Sequence, residues 1–342
     1  MTFVFVSLLL AGLAQQPSGE VRLKPDTTDV RLKPDTTAFR QQPDFTCQME
    51  DADRAWLQDL LTTWRTVARE ALRIDPDPLP TIVLFDERCV WTGDEANGKA
   101  HGGNVPLPTG ESMPARLATF AGTSGEGDRP FLVMAMPSVW RAEPRHQSEA
   151  DLPLLMRAVF AHEMAHTVQS PGLGTWLREI ERRLKPPQEL DDDIIQTRFE
   201  KNPEFRAAWA AERSLLYQAA NETNDSLRRA LLSTALAMIE TRRARFFTGD
   251  DAVFAELEDV FLNMEGVGQW AAYQVARRSG LSPLDAQNAI RRGRTRWSQE
   301  EGFAAFLLID ALVPNWRDRV LTGKPTSIFV LLAEAARRYP SE

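Results

Sequence analysis

Two histidines four residues apart in an apolar run constrain this chain most. The stretch Ala161-His162-Glu163-Met164-Ala165-His166-Thr167 reads His-Glu-x-x-His. Leu154, Leu155, Met156, Ala158, Val159, Phe160 and Ala161 precede it and Val168 follows, so it is expected on a buried helix. Residues four apart lie one above the other on a helix face, so His162 and His166 can point at one metal ion. Glu163 then sits beside that ion, placed to take a proton from a bound water. With only four histidines in the whole chain, this pairing is an unexpected coincidence unless it binds something.

A catalytic metal usually takes three protein ligands and leaves one position open, so a third donor must come from elsewhere. Cys47 and Cys89 are not spaced as ligands. His101 and His146 each stand alone in a polar loop, where a solvated histidine is the ordinary reading. The better candidate is Glu265, in Phe261-Leu262-Asn263-Met264-Glu265-Gly266-Val267-Gly268-Gln269-Trp270-Ala271-Ala272-Tyr273. A carboxylate in so apolar a helical stretch is costly without a partner. Gly266 and Gly268 are poor helix formers, and close approach to the helix of His162 and His166 would account for them. Glu212 is the rival third ligand; otherwise it belongs to a solvated helix face. The basic cluster Arg242, Arg243 and Arg245 is expected to complement a helix C-terminus and pair with acids, or else to bind a substrate carboxylate.

The order of elements follows from periodicity. Helical spacing over 50–73 is stopped by Pro76, Pro78 and Pro80; a strand follows at 81–85, which Cys89-Val90-Trp91 extends or follows, and another covers 131–136. Residues 93–130, rich in Gly, Pro, Ser and Thr, read mostly as loop with a short hairpin. From Asp151 the chain is expected to be almost all helix, over about 151–169, 174–184, 203–220, 224–247, 251–278, 283–292, 299–313 and 326–338. Ser282 before Pro283, and Ser298 with Glu301, carry helix-capping signals. The fold class is therefore α+β, predominantly helical: a small N-terminal sheet layer packed on the motif helix, then a large helical region.

Residues 3–14, FVFVSLLLAGLA, are too short for a comfortable membrane span and fit a secretory signal over 1–14, cleaved after Ala14. Export would make a Cys47–Cys89 disulfide reasonable; two buried thiols are the alternative. Residues 15–44 carry VRLKPDTT at 21–28 and again at 30–37 and read as a disordered linker, leaving 45–342 as the folded domain (45–150 α+β, 151–342 helical). A formal charge of −8 argues against a nucleic-acid partner.

His162-Glu163-x-x-His166 followed by a downstream helix with Glu265-Gly266 resembles the gluzincins, zinc metallopeptidases whose third ligand is a Glu on a second helix. Leu262-Asn263-Met264-Glu265-Gly266-Val267-Gly268-Gln269-Trp270 is similar to their Asn-Glu-Gly element, with Met264 inserted and Gln269 at a usually acidic position. The resemblance implies a zincin-like domain in which zinc is held by His162, His166 and Glu265, with Glu163 as general base. It also implies an oxyanion-stabilising group, for which Tyr273 is the first candidate and His101 the second, and a strand at 131–136 that pairs with extended substrate. Gln269 would orient a ligand histidine. The expected protein is then an exported peptidase acting on a peptide or protein, periplasmic or extracellular, without a stable membrane span. The rival expectations are a catalytically silent zincin-like module of the cell envelope and a metal-dependent hydrolase of non-peptide amides.

Overall fold

A computed structural model of the chain describes residues 4–5, 46–93, 95–124, 129–142, 150–184, 190–291, 296–321 and 323–337. Apart from Val4–Phe5, the expected signal and linker lie outside the described residues, as does His146. The architecture is α+β and predominantly helical, a mixed sheet beside a large helical region.

Helix α1 (Asp51–Thr66) continues as a π-helical turn, Val67–Leu72, and closes at Arg73 in the left-handed region, φ 59°. It buries Leu57, Leu60, Leu61 and Trp64. The strands are β1 (Val4–Phe5), β2 (Thr81–Phe85), β3 (Cys89–Thr92), β4 (Lys99–Ala100), β5 (Asn104–Pro106), β6 (Ser112–Pro114), β7 (Thr119–Ser124) and β8 (Arg129–Ala135). The sheet order is β1-β7-β8-β2-β3-β4, with β5 and β6 a separate hairpin. Strands β2 and β8 run parallel in register from Thr81 opposite Phe131 to Phe85 opposite Ala135. Their unbroken apolar runs suit this central position, since both faces are covered. Cys47 and Cys89 form a disulfide, their Cα atoms 5.6 Å apart, tying the entry of α1 to β3.

Two expectations need correction here. The strand over 131–136, expected to pair with extended substrate, is β8, and it lies inside the sheet between β7 and β2 with neither side open for such pairing. The strand beyond it is β7, from a stretch expected to be mostly loop. Thr119-Phe120-Ala121-Gly122-Thr123-Ser124 has a turn-like composition, yet it pairs antiparallel with β8 along its whole length. Gly122 lets the Phe131 ring lie over the backbone: a β-carbon there would stand 2.6 Å from Phe131 Cζ.

The helices are α2 (Pro137–Ala142), α3 (Leu152–Leu184), α4 (Ile194–Phe199), α5 (Pro203–Asn221), α6 (Asp225–Phe246), α7 (Phe254–Arg278), α8 (Pro283–Ile290), α9 (Trp297–Leu312), α10 (Trp316–Val320) and α11 (Ile328–Arg337). Helices α3 and α7 make the most extensive contact, and α9 covers the other side of α7. One core joins the sheet to α1, the first half of α3 and α9. A second, aromatic core lies where the second half of α3 meets the first half of α7, with Phe199, Phe205, Phe247, Phe254 and Phe261.

Helix α3 runs unbroken through Pro171, where a gap between two helices was expected. A proline there has no N–H to give the Thr167 carbonyl; Ser170 Oγ donates to that carbonyl instead, at 3.1 Å. Ser282 caps α8, accepting from the Asp285 N–H at 3.1 Å. The second capping signal fails. Helix α9 starts at Trp297, two residues before the expected 299, so Ser298 and Glu301 are both turned into the interior.

Candidate metal centre

The long α3 sets His162 and His166 one turn apart facing α7, and α7 brings Glu265 up against them. His162 and His166 are 1% exposed, and Glu265 and Glu163 0%. The two Nε2 atoms are 2.9 Å apart. Glu265 Oε2 lies 3.3 Å from His162 Nε2, and Oε1 lies 3.4 Å from His166 Nε2. A tetrahedral ion bonded at 2.0–2.2 Å holds its ligand atoms roughly 3.3 Å apart, so this spacing fits a shared metal to within a few tenths of an ångström. Among the described residues this is the one group of His, Cys, Asp and Glu compact enough to hold a metal ion.

The outer ring atoms support the same reading. His166 Nδ1 faces Gln169 Oε1 at 3.4 Å, and the Gln169 amide donates to the Asn263 carbonyl. The Gly268 carbonyl accepts a hydrogen bond from His162. Both Nε2 atoms face the Glu265 carboxylate at the centre; a cation held there would take both Nε2 lone pairs while the Nδ1 N–H groups donate outward. Burial lowers the His162 pKa, as does His166 nearby, although Glu265 opposes this; the neutral imidazole that can ligate is favoured. Burial would raise the Glu265 pKa, but hydrogen bonds and charge from the two histidines outweigh it and hold the carboxylate ionised.

Glu163 points the other way along the same helix, toward the sheet. Its Oε2 accepts from the Ala121 N–H of β7 at 3.1 Å. Its Oε1 is buried with no hydrogen-bond partner among the described residues. Burial first, then Glu265 and Asp192, push its pKa well up, against the Ala121 hydrogen bond. Such a carboxylate has a free oxygen and a raised proton affinity, as a base requires.

Other candidates lie apart from this cluster. Tyr273 is on α7 about 12 Å along the axis from Glu265 and about 80° round; it packs on Phe303, ring centroids 5.7 Å apart, and bonds to Arg277. His101 Nε2 is 3.0 Å from the Asp86 carbonyl, and its Nδ1 accepts from the Gly103 N–H, so both ring nitrogens are used within the loop. Glu212 does not approach the histidines. It is buried against Arg242, which also meets Glu258 and Glu301. Arg242 is thus an interior pairing centre rather than a free anion site. Gln269 is buried, but the amide beside a ligand histidine is Gln169, three residues past His166 on the same helix. Its i,i+3 spacing was the available signal. Asp192, ahead of α4, was also missed; its charge bears on both Glu265 and Glu163.

Comparison of the chain with protein-family models, with curated proteins and with solved structures found no match.

Proposed function

We propose that the chain is a zinc-dependent peptidase of gluzincin type. The observation that carries this reading is the convergence of His162, His166 and Glu265 from two helices, with Glu163 one residue from a ligand and one of its oxygens unpartnered. When bound, a zinc ion in this donor set supplies Lewis acidity and lowers the pKa of its water toward ~7. Glu163 Oε1 takes the proton from the attacking water and delivers it to the leaving amine, while the Ala121 N–H holds Oε2 in place. The outer edge of β7 receives the extended substrate, since Ala121 already joins that strand to the base. Strand β1 pairs there, Val4 opposite Gly122 and Phe5 opposite Ala121. Cleavage after Ala14 on export would remove β1 and open the edge. The Cys47–Cys89 disulfide supports export to the periplasm or outside, because such bonds persist in oxidising compartments. No described helix is long and apolar enough to cross a membrane.

A second reading, a catalytically silent metal-binding module, is favoured by the depth of the site, with all four side chains no more than 1% exposed. Metal analysis and one variant separate the two. The purified chain is expected to hold about one zinc, lost in His162→Ala. Glu163→Gln keeps the zinc and loses about a hundredfold or more of kcat/KM on a peptide library. A folded chain that never binds zinc would sink the site. Wild type that binds zinc and cleaves nothing would favour the silent module.

A further inference from the structure

The motif helix carries one more polar side chain into the interior. Gln169 follows His166 by three residues, so it lies on the same face of α3, and it is 1% exposed. Its two hydrogen bonds run in opposite directions. Nε2 donates to the Asn263 carbonyl of α7 at 3.4 Å, and Oε1 faces His166 Nδ1, also at 3.4 Å. A carbonyl oxygen can only accept, so the Asn263 end fixes which way the amide is turned. Oε1 is then left facing the ring, and an amide oxygen can only accept as well. The hydrogen bond between them therefore needs the proton on His166 Nδ1, which leaves the Nε2 lone pair for a metal.

The acceptor end of this clamp is itself held in place. Asn263 is buried, its Nδ2 donates to the Thr326 carbonyl at 3.0 Å, and Asp259 one turn earlier accepts from the Ile328 N–H at 2.7 Å. The segment before α11 thus fixes the stretch of α7 that fixes Gln169. Charge accounts for an amide at this position. Glu163 and Glu265 already place two fully buried carboxylates round the histidines. A third, as the orienting group, would add repulsion that a neutral amide avoids. His162 is oriented by a neutral group too, the Gly268 carbonyl.

We propose that Gln169 is a positioning residue of the metal centre. It keeps the His166 ring turned with Nε2 toward the ion and fixes it in the Nδ1–H form, so the signature on α3 extends to His162-Glu163-x-x-His166-x-x-Gln169. The role rests on the metal-centre reading but not on peptide cleavage. It differs from a simple tie between helices, because the His166 end of the amide acts on the ligand. Orientation of a ligand by such an outer hydrogen bond is worth about ten- to a hundredfold in metal affinity.

Two variants of the full chain test this. Gln169→Leu removes both hydrogen bonds at similar volume, whereas the carboxyl introduced by Gln169→Glu accepts from Nδ1–H whether ionised or not. Competition with a chromophoric chelator should show zinc bound about tenfold or more weakly in Gln169→Leu, with most of that loss recovered in Gln169→Glu. Proton NMR of the imidazole N–H groups in the zinc-loaded chain supplies a signature that a purely structural tie would not move. The His166 Nδ1–H resonance is expected to shift upfield in Gln169→Leu and to stay downfield in Gln169→Glu. The corresponding His162 resonance, bonded to Gly268, stays in place as an internal reference. Unchanged zinc affinity in a folded Gln169→Leu, or equal shifts of both histidines, would overturn the positioning role and leave the metal centre standing. If Gln169→Leu does not fold, Gln169→Glu decides: affinity and downfield resonance retained together support the role, and loss of either overturns it. Wild type that binds no zinc overturns this role and the metal centre together. Zinc binding with the expected variant behaviour but no cleavage of any peptide overturns the peptidase reading alone.

Discussion

At Gly268 a β-carbon would lie 2.7 Å from His162 Cε1 and 2.8 Å from His166 Cε1, inside contact distance of both rings. This position lets α7 come close enough for Glu265 to reach the histidines. The glycine pair 266 and 268 signalled close approach in the sequence, but only Gly268 makes it toward α3. Gly266 faces α9, where a β-carbon would stand 2.6 Å from the Gly302 carbonyl oxygen. Gly268→Ala is therefore expected to keep the fold, since alanine favours a helix by about 1 kcal/mol, yet to displace the ligand rings. Zinc affinity should fall by about tenfold or more, as for other losses of ligand support, measured by competition with a chromophoric chelator. Affinity unchanged in that variant would mean the rings have room to give.

At the scale of elements, local composition misleads wherever a neighbouring chain supplies what the segment lacks. Ser-Pro-Gly at 170–172 reads as a helix break, yet α3 continues because Ser170 serves the carbonyl that Pro171 abandons. Ser170→Ala should cost about 1 kcal/mol, read as a lower urea midpoint, because the Thr167 carbonyl then loses its partner. An unchanged midpoint would show that the carbonyl is served otherwise. Strand β7 is a second instance: its own residues carry a weak strand signal, and β8 with the Phe131 ring supplies the pairing and cover. The strongly periodic segments, α1, β2, β8 and α7, could be read from the sequence because their apolar faces repeat regardless of partner.

Across the whole molecule, the helices between the two ligand elements are held by a buried charge centre. Arg242 is 2% exposed and faces Glu212, Glu258 and Glu301, with Arg243 beside Glu258 at 3.6 Å. Burial, reinforced by the neighbouring acids, pushes Glu212 up to about 9 despite Arg242. Burial likewise lifts Glu301 to about 7 against the pull of Arg242. A carboxyl whose pKa is raised on folding holds a proton that the unfolded chain has released, so its contribution is lost as pH rises through the folded value. For Glu212 that window extends from its ordinary 4.5 up to about 9. Stability is expected to fall as pH rises from about 7 to about 9, with a shallower slope in Glu212→Gln, measured by urea denaturation with chelator present. Equal slopes would place the retained proton elsewhere.

Sequence alone determined the pieces that depend on one element at a time. It showed the helix that stacks His162 over His166 with Glu163 between, the apolar helix carrying Glu265, and the helical character of the second half of the chain. Periodicity carries that information because a helix face is defined by residues three and four apart. Only the tertiary structure decided which carboxylate meets the histidines. Glu212 and Glu265 both stand in helices with apolar faces, and burial by itself does not name a partner. Helix α6 brings Arg242 to Glu212, and Gly268 admits the imidazoles beside Glu265. The strand next to Glu163, the Gln169 support and the inward turn of Ser298 and Glu301 were decided in the same way, by contacts between segments far apart in sequence.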